Sequence, residues 1–333
     1  MLRAARCFAT PSPNIRITQG MPTMRKSHCR TYKHVPLFLF TLLWCNLSSA
    51  HSRWVVPSHT TLSGDKPVSI SVDFSISNEL FHGDIAMGGE SPTAVAAPTI
   101  TPPQQHSKLN PMQRMLNATR VNYLSPNGEI SNDLPIVNLG RKSSSTFELT
   151  TSGTYRVNVI QAPIDLILYE NGLGETHRMF GKLRELQNTI PKAASNIKTL
   201  RISNDIHSYI TRNNITGSTI EPKGKGLELR HHTHPNDLFS GESSDYSVLL
   251  DGKALSNASN IENTSIKVTR HNTRYRDIRN SITPTINSHG EFSINWKESG
   301  LYLVEGEISL PSGEEARHTE IFSFYMTLEV YPP

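Results

Sequence analysis

TTSGTYRVNVI (150–160) and KESGLYLVEGEI (297–308) carry one signature twice: Ser-Gly, one residue, Tyr, then a strand. Apolar side chains at every second position mark a strand with one face in a core, and Tyr155, Val157 and Val159 keep that period. A tyrosine just after a turn glycine suits the core or the corner of a β-sandwich. A second pair of segments opens each unit. TTLSGDKPVSISVDF (60–74) and DLFSGESSDYSVLLDG (237–252) share an apolar residue, Ser-Gly, an acid and an alternating strand. Two copies in the same order predict a mainly β protein of two β-sandwich domains in tandem.

Other segments read likewise. Thr146–Leu149, Tyr246–Leu250, Phe292–Trp296, Leu301–Glu307 and Phe322–Val330 have strand periodicity, and Asp251-Gly252, His289-Gly290 and Ser312-Gly313 mark turns. One stretch has helical spacing: Glu175 to Asn188, with Met179, Leu183 and Leu186 three and four apart and Pro191 beyond, predicts a short helix between the repeats. Five prolines within 88–117 predict a long mobile loop. The resulting division is a leader over 1–50, a first sandwich over 51–174, a helix with connecting strands over 175–226 and a second sandwich over 227–333.

The run Val35–Leu47 is apolar, follows Arg25, Lys26, Arg30 and Lys33, and precedes Ser48-Ser49-Ala50. That order predicts a secretory signal peptide cut between Ala50 and His51, too short to remain as an anchor. Its charged region reads naturally from Met24, so residues 1–23 read as an over-extended start, with Met1 the other start. Cys45 raises a lipoprotein alternative, against which Trp44 stands where a lipobox takes a small residue. The cut reverses the charge: the whole chain is +4, but the leader holds seven Lys or Arg and no acid, leaving the mature chain at −3. A nucleic-acid partner thereby loses its electrostatic basis. Cys7, Cys29 and Cys45 all leave with the leader. The exported product therefore has no disulfide and no thiolate metal site, and its stability must come from packed cores. The mature chain contains no other stretch able to cross a bilayer as a helix.

Signatures of enzymes are missing: there is no Gly-x-Ser-x-Gly and no His-Glu-x-x-His. NGLGET (171–176) and KGKGLE (223–228) lack a third glycine and a strand-to-helix setting, so both read as turns. Asn117, Asn214, Asn257 and Asn263 begin glycosylation sequons, which chance supplies in a chain this rich in Asn, Ser and Thr. The unusual element is histidine, 14 in all. As a mature terminus, His51 offers an α-amine and an imidazole that chelate one ion in a small ring, and the amine's ordinary pKa of about 7.7–8.0 makes its proton easy to displace. Divalent copper and nickel favour such donors. The alternative is a residue that merely follows the cut and frays. In LFHGDIAM, His82 and Asp84 could ligate through nitrogen and oxygen, or form an exposed polar turn around Gly83. In LRHHTHPNDLFSG, an extended backbone would point His232 and His234 to one side and His231 to the other, with Asp237 capping the following turn.

AHSRWVVPSHTTLSG, VDFSISNELFHGD, KGKGLEL, THPNDLFSGE, LLDGKAL, TRYRD, HGEFSINWKESGLYL and YMTLEVYPP, in that order, resemble a bacterial extracytoplasmic family of unknown function. That family is often labelled as a periplasmic component of nickel or cobalt uptake. The resemblance implies immunoglobulin-like sandwiches, a periplasmic setting and a link to transition-metal handling. It matches His51 to the family's mature-terminal histidine, Trp54 and Pro57 to its opening strand, and His234, Pro235 and Asp237 to its second-domain entry. Where the family has Asp-His after the Leu-Phe pair, this chain has Asp84-Ile85, which leaves His82 as the nearest imidazole.

The resulting expectation is a soluble, non-enzymatic periplasmic protein that binds a divalent transition metal, nickel or cobalt with copper also suited, and assists its uptake. His51 supplies the terminal chelate, with His82, Asp84, His232 and His234 as the candidates that complete it. An uptake role implies an inner-membrane permease or an outer-membrane receptor as partner. Two rivals stand beside it: a metal-free adhesion or interaction module, and a copper-dependent oxidase that uses an amino-terminal histidine.

Overall fold

Both repeated signatures become strands, and they end up in different layers. A computed structural model describes residues 52–89, 111–255, 263–272, 281–313 and 317–333. The opening segments give β3 (Val68–Ser77) and β12 (Ser243–Leu250), each in a four-stranded outer sheet. The first outer sheet has the order β1 (Ser52–Pro57), β3, β6 (Ser143–Leu149), β5 (Val137–Asn138). In the second, β12 pairs with β11 (Leu227–His231), β13 (Lys253–Ala254) and β15 (Glu291–Asn295).

The Ser-Gly-x-Tyr strands, β7 (Gly153–Ile160) and β16 (Gly300–Ser312), meet in a nine-stranded central sheet. Its path runs β14 (Asn263–Arg270), β16, β17 (His318–Val330), β10 (Ser195–Arg212), β7, β4 (Arg120–Leu124). Three further strands complete it: β2 (Thr61–Leu62) and β8 (Ile164–Glu170) pair with β10, and β9 (Thr176–Phe180) pairs with β8. The 18-residue β10 joins the two repeats. Its first half pairs with β8, its end with β7, and Thr199–Ser208 runs parallel to His318–Thr327 of β17.

Each outer sheet closes one face of the central sheet. One core holds Trp54, Val72 and Phe74 of the first outer sheet against Val157, Ile206, Leu303 and Tyr325; the other holds Tyr246, Val248 and Ile294 against Val304, Phe324 and Met326. Consecutive residues of β16 and β17 thus enter opposite cores. This is why LYLV (301–304) is continuously apolar rather than alternating: a strand buried on both faces has no solvent side to mark. The two sandwiches expected in tandem are both present, and they share their inner sheet.

Both tyrosines close corners. The Tyr155 hydroxyl donates to Thr151 O at 3.0 Å and accepts from Thr151 N at 2.8 Å, and the Tyr302 hydroxyl donates to Glu298 O at 2.7 Å. Each bond reaches four residues back across a glycine with positive φ, Gly153 at +131° and Gly300 at +129°. A Cβ on Gly153 would sit 2.6 Å from the Pro126 side chain, so that corner admits no other residue. Removing either hydroxyl is expected to cost about 1 kcal/mol. Urea denaturation of Tyr155→Phe and Tyr302→Phe measures this, and Tyr155→Phe, which loses two bonds, should show the larger fall.

Two expectations need correction. Of the helix placed at Glu175–Asn188, only α2 (Leu183–Leu186) forms, while Thr176–Phe180 is strand β9. The free edge of β8 supplies backbone partners from Leu166↔Phe180 to Glu170↔Thr176, and Gly181 at φ +137° breaks the chain just beyond. Leu183 is exposed, so the helical spacing found no core to face. In the stretch read as a loop, α1 (Pro111–Asn117) is helical, with proline at its first position and Leu116 in the first core. Residues 90–110 of that stretch lie outside the described residues.

Candidate metal centre

Ser52 begins β1 and pairs with Ser77, the last residue of β3, so the start of β1 and the turn after β3 share one end of the first outer sheet. Ser52 Oγ donates to Glu305 Oε1 at 2.6 Å, and Glu305 Oε2 lies 3.3 Å from Lys267 Nζ. His51 itself lies outside the described residues.

The turn after β3 is tightly specified. His82 N donates to Glu79 O at 3.1 Å, Asp84 Oδ2 accepts from Asn78 N at 3.0 Å, and Ile85 bridges back to Ile76. Phe81 takes φ +58°, which is costly for an aromatic residue. At Gly83 a Cβ would lie 2.6 Å from the Arg141 carbonyl oxygen, so glycine is obligatory there. The turn thereby aims the half-buried His82, whose Nδ1 lies 3.0 Å from Leu80 O. A carbonyl only accepts, so Nδ1 is the donor in this pair, and in the neutral ring the lone pair is on Nε2. A backbone carbonyl on one nitrogen, leaving the other to a cation, is the usual way a metal-binding imidazole is oriented.

The neighbour of His82 is His271, with ring centres 5.8 Å apart. His271 follows β14 and is fixed by its N–H to Leu301 O at 2.8 Å. An edge-on series, Trp54 to Phe81 at 5.7 Å and Phe81 to His271 at 5.4 Å, anchors both rings to β1. Burial lowers the His271 pKa, and the nearby His82 and Arg270 lower it further, which favours the neutral, ligating form. With metal–nitrogen bonds of about 2.0–2.1 Å, two rings on one ion have centres up to roughly 6.4 Å apart, so this pair is within reach of a shared ion. Among the described residues no group of three His, Cys, Asp or Glu converges as a metal cage.

The remaining candidates are placed differently. Asp84 closes its turn through Asn78. The extended segment expected at 231–234 is a bend, so His232 and His234 diverge: His232 is exposed with Nε2 2.8 Å from Ser247 Oγ on β12. His234 turns inward, with Nε2 3.0 Å from Thr154 Oγ1 and 3.3 Å from Thr216 O, and Nδ1 accepting from Asn236 N at 3.1 Å. Both its nitrogens are committed, which makes it a pin between the second-sandwich entry and β7. Burial lowers its pKa, partly opposed by Thr216 O and Asp237.

His231 joins a buried polar row that the sequence reading missed. Asp205, His207 and Tyr209 sit at every second position of β10, and Arg156 lies opposite Tyr209 on β7. Arg156 Nη2 donates to Asp205 Oδ2 at 2.6 Å, and His207 Nδ1 lies 3.4 Å from the same oxygen. Ring contacts then run from His207 to Tyr209 at 5.4 Å, to His231 at 5.5 Å and to Tyr246 at 5.5 Å. Burial alone would raise the Asp205 pKa, but Arg156 and His207 outweigh it and hold the carboxyl far below its usual range. Burial, with Arg156 adding to it, pushes His207 down to about 4. Burial also takes His231 down to about 3. The row is one ion pair with two neutral imidazoles behind it.

Twin β-sandwiches on a shared sheet, with His82 and His271 side by side at one end of the first outer sheet, define a β-sandwich protein. The chain belongs to the family described as Domain of unknown function (DUF4198), whose model matches residues 48–309. No curated protein matches it. Among solved structures, it is similar to Escherichia coli alpha-2-macroglobulin activated by porcine elastase, at 8% identity and TM-score 0.20 over 85% of this chain and 20% of that one. A bacterial ice-binding adhesin of 1.5 MDa matches at 7% identity and TM-score 0.20, over 85% of this chain and 98% of the other. The chain thus spans about a fifth of the macroglobulin, and likenesses at this TM-score carry no functional meaning. No helix among the described residues is long and apolar enough to cross a membrane.

Proposed function

We propose that the processed, exported protein binds a divalent transition metal, nickel or cobalt, at the start of β1 and assists its uptake from the periplasm. The observation that carries this reading is the oriented Nε2 of His82 beside His271, on the turn whose strand pairs with Ser52. Two imidazoles make half of a four-coordinate site. The α-amine and imidazole of His51 supply the other half once the leader is removed, which gives the nitrogen-rich set that nickel, cobalt and copper favour. An inner-membrane permease or outer-membrane receptor would take the metal onward. Asp84 holds its turn through Asn78 and His234 is bonded through both nitrogens, while His232 is exposed beside Ser247.

Equilibrium dialysis of protein beginning at His51 against nickel, cobalt, copper and zinc tests the reading. Micromolar or tighter binding is expected, and it should disappear when one residue is added ahead of His51, because acylating the amine removes a donor. Failure to bind any of the four ends the proposal.

A further inference from the structure

The buried row bridges the shared sheet and the second outer sheet, and it ends on a strand that is weakly held. β11 is the edge of that outer sheet, and its five residues pair with β12 alone, from Leu227↔Leu250 to His231↔Tyr246. Leu227 and Leu229 enter the second core, and the two-residue period of a strand turns His231 the same way. Where a third apolar side chain would suit the core, the chain places an imidazole.

That imidazole is poorly matched in either charge state. Its Nε2 lies 3.5 Å from the Tyr209 hydroxyl, at the limit of a hydrogen bond, and its Nδ1 is shut off from water with no partner among the described residues. Tyr209 and Tyr246 meet the ring edge-on, each at 5.5 Å. A neutral ring leaves one nitrogen unmet, whereas an imidazolium would bury a positive charge and an N–H that faces no acceptor. The charged groups that press on it are Arg156 of β7, His207 of β10, and His232 and His234 beyond β11, and each disfavours a further positive charge. His207 is 6% exposed and little better placed. Asp205 Oδ2 at 3.4 Å favours its charged form but already accepts from Arg156 at 2.6 Å, and Arg156 and Lys223 both oppose that form. Its other neighbours are Tyr209 on its own strand and Met326 opposite it on β17. His82 and His271, beside the first outer sheet, are partly exposed and can take a proton without any strand moving.

Acid therefore pulls on one place. A ring that takes a proton must reach water, and the shortest way for His231 is the departure of β11, which gives up one five-residue pairing and the burial of Leu227 and Leu229. We infer that β11 is an acid-opened flap: in mild acid it swings off Tyr209 and Tyr246, hydrates His231 and His207, and leaves the first sandwich folded. The flap shares no residue with the proposed metal centre, so the two stand or fall separately.

Hydrogen–deuterium exchange of the processed, metal-free protein at pH 7.5, 6.0 and 5.0, read by mass spectrometry and corrected for the intrinsic pH dependence of exchange, tests this. With a free imidazole titrating near 6.5, one hydrated ring favours the open form by about 30-fold at pH 5.0 and two by about 1000-fold. Protection of the Leu227–His231 amides should fall at least 30-fold between pH 7.5 and 5.0. At every pH it should also stay at least tenfold below that of β3 and β6, because the flap opens without unfolding the chain. His231→Phe should remove about 30-fold of the acid effect at β11, and His231→Gln, which keeps a polar side chain, gives the same reading if the phenylalanine variant fails to fold. His82→Ala should leave the acid effect unchanged. Protection at β11 that does not change with pH, equal protection of β11 and β3, or an undiminished acid effect in the His231 variants would overturn the inference.

Discussion

Arg156→Met is expected to lower stability by about 2–3 kcal/mol, less than the roughly 3–5 kcal/mol of a fully buried ion pair, because Asp205 keeps part of its side chain in water. The Arg156 side chain is 4% exposed and bonds the half-buried Asp205, 33% exposed, at 2.6 Å, so its loss leaves a carboxylate whose partial burial is no longer offset. Arg156→Met combined with Asp205→Asn should cost less than the two single changes together, since the double variant buries no orphan charge. Urea denaturation of the three variants decides this, and additive losses would mean that the pair is not coupled.

The same row makes stability depend on pH. His207 and His231 are held neutral down to about 4 and about 3 when folded, whereas in the unfolded chain an imidazole takes its proton near 6.5. Their contribution is therefore complete above about pH 7 and is lost as pH falls from 6.5 toward those folded values. With both unfolded rings charged, the slope approaches roughly 2.7 kcal/mol per pH unit. Asp205 adds nothing there, because its carboxyl is ionised in both states until pH drops below about 4. Unfolding free energies at pH 7.5, 6.0 and 5.0 should fall steeply, and His231→Phe should halve the slope. A flat profile would contradict the buried, neutral assignment.

The second large effect concerns the metal. His82→Ala and His271→Ala should each weaken binding on the order of 100-fold, since losing even an orienting partner of a ligand costs 10–100-fold. His234→Ala should leave metal affinity unchanged while lowering stability, because its bonds go to Thr154, Thr216 and Asn236. Calorimetric titration with nickel reads the first effect and urea denaturation the second. Equal loss of affinity in all three variants would point to a general structural effect.

The sandwich architecture was legible because its cues are local. Val68, Ile70, Val72 and Phe74 alternate, and Ser-Gly-x-Tyr recurs, so strands and corners follow from a few adjacent residues. The sharing of one sheet was not legible, since it depends on the parallel register of β10 and β17, more than 100 residues apart. The same limit governs the site. His82 stood out beside its glycine, but His271 is brought to it by the β14–β16 pairing, and no neighbouring residue of His271 marks that contact. His232 and His234 are the opposite case: two residues apart, they face one side only on an extended backbone, and here they sit in and just after a bend that Pro235 follows. Asp205, His207 and Tyr209 did carry a readable signal: three titratable groups at every second position of β10, alternating with Ile206 and Ile210 toward its end.

The central claim, metal at the start of β1, is tested most directly by anomalous X-ray scattering from crystals of the His51-initiated protein grown with nickel. The account predicts one strong peak about 2.0–2.1 Å from His82 Nε2, with His271 and the terminal amine also bonded to the ion. A peak elsewhere, or none near His82, would contradict it.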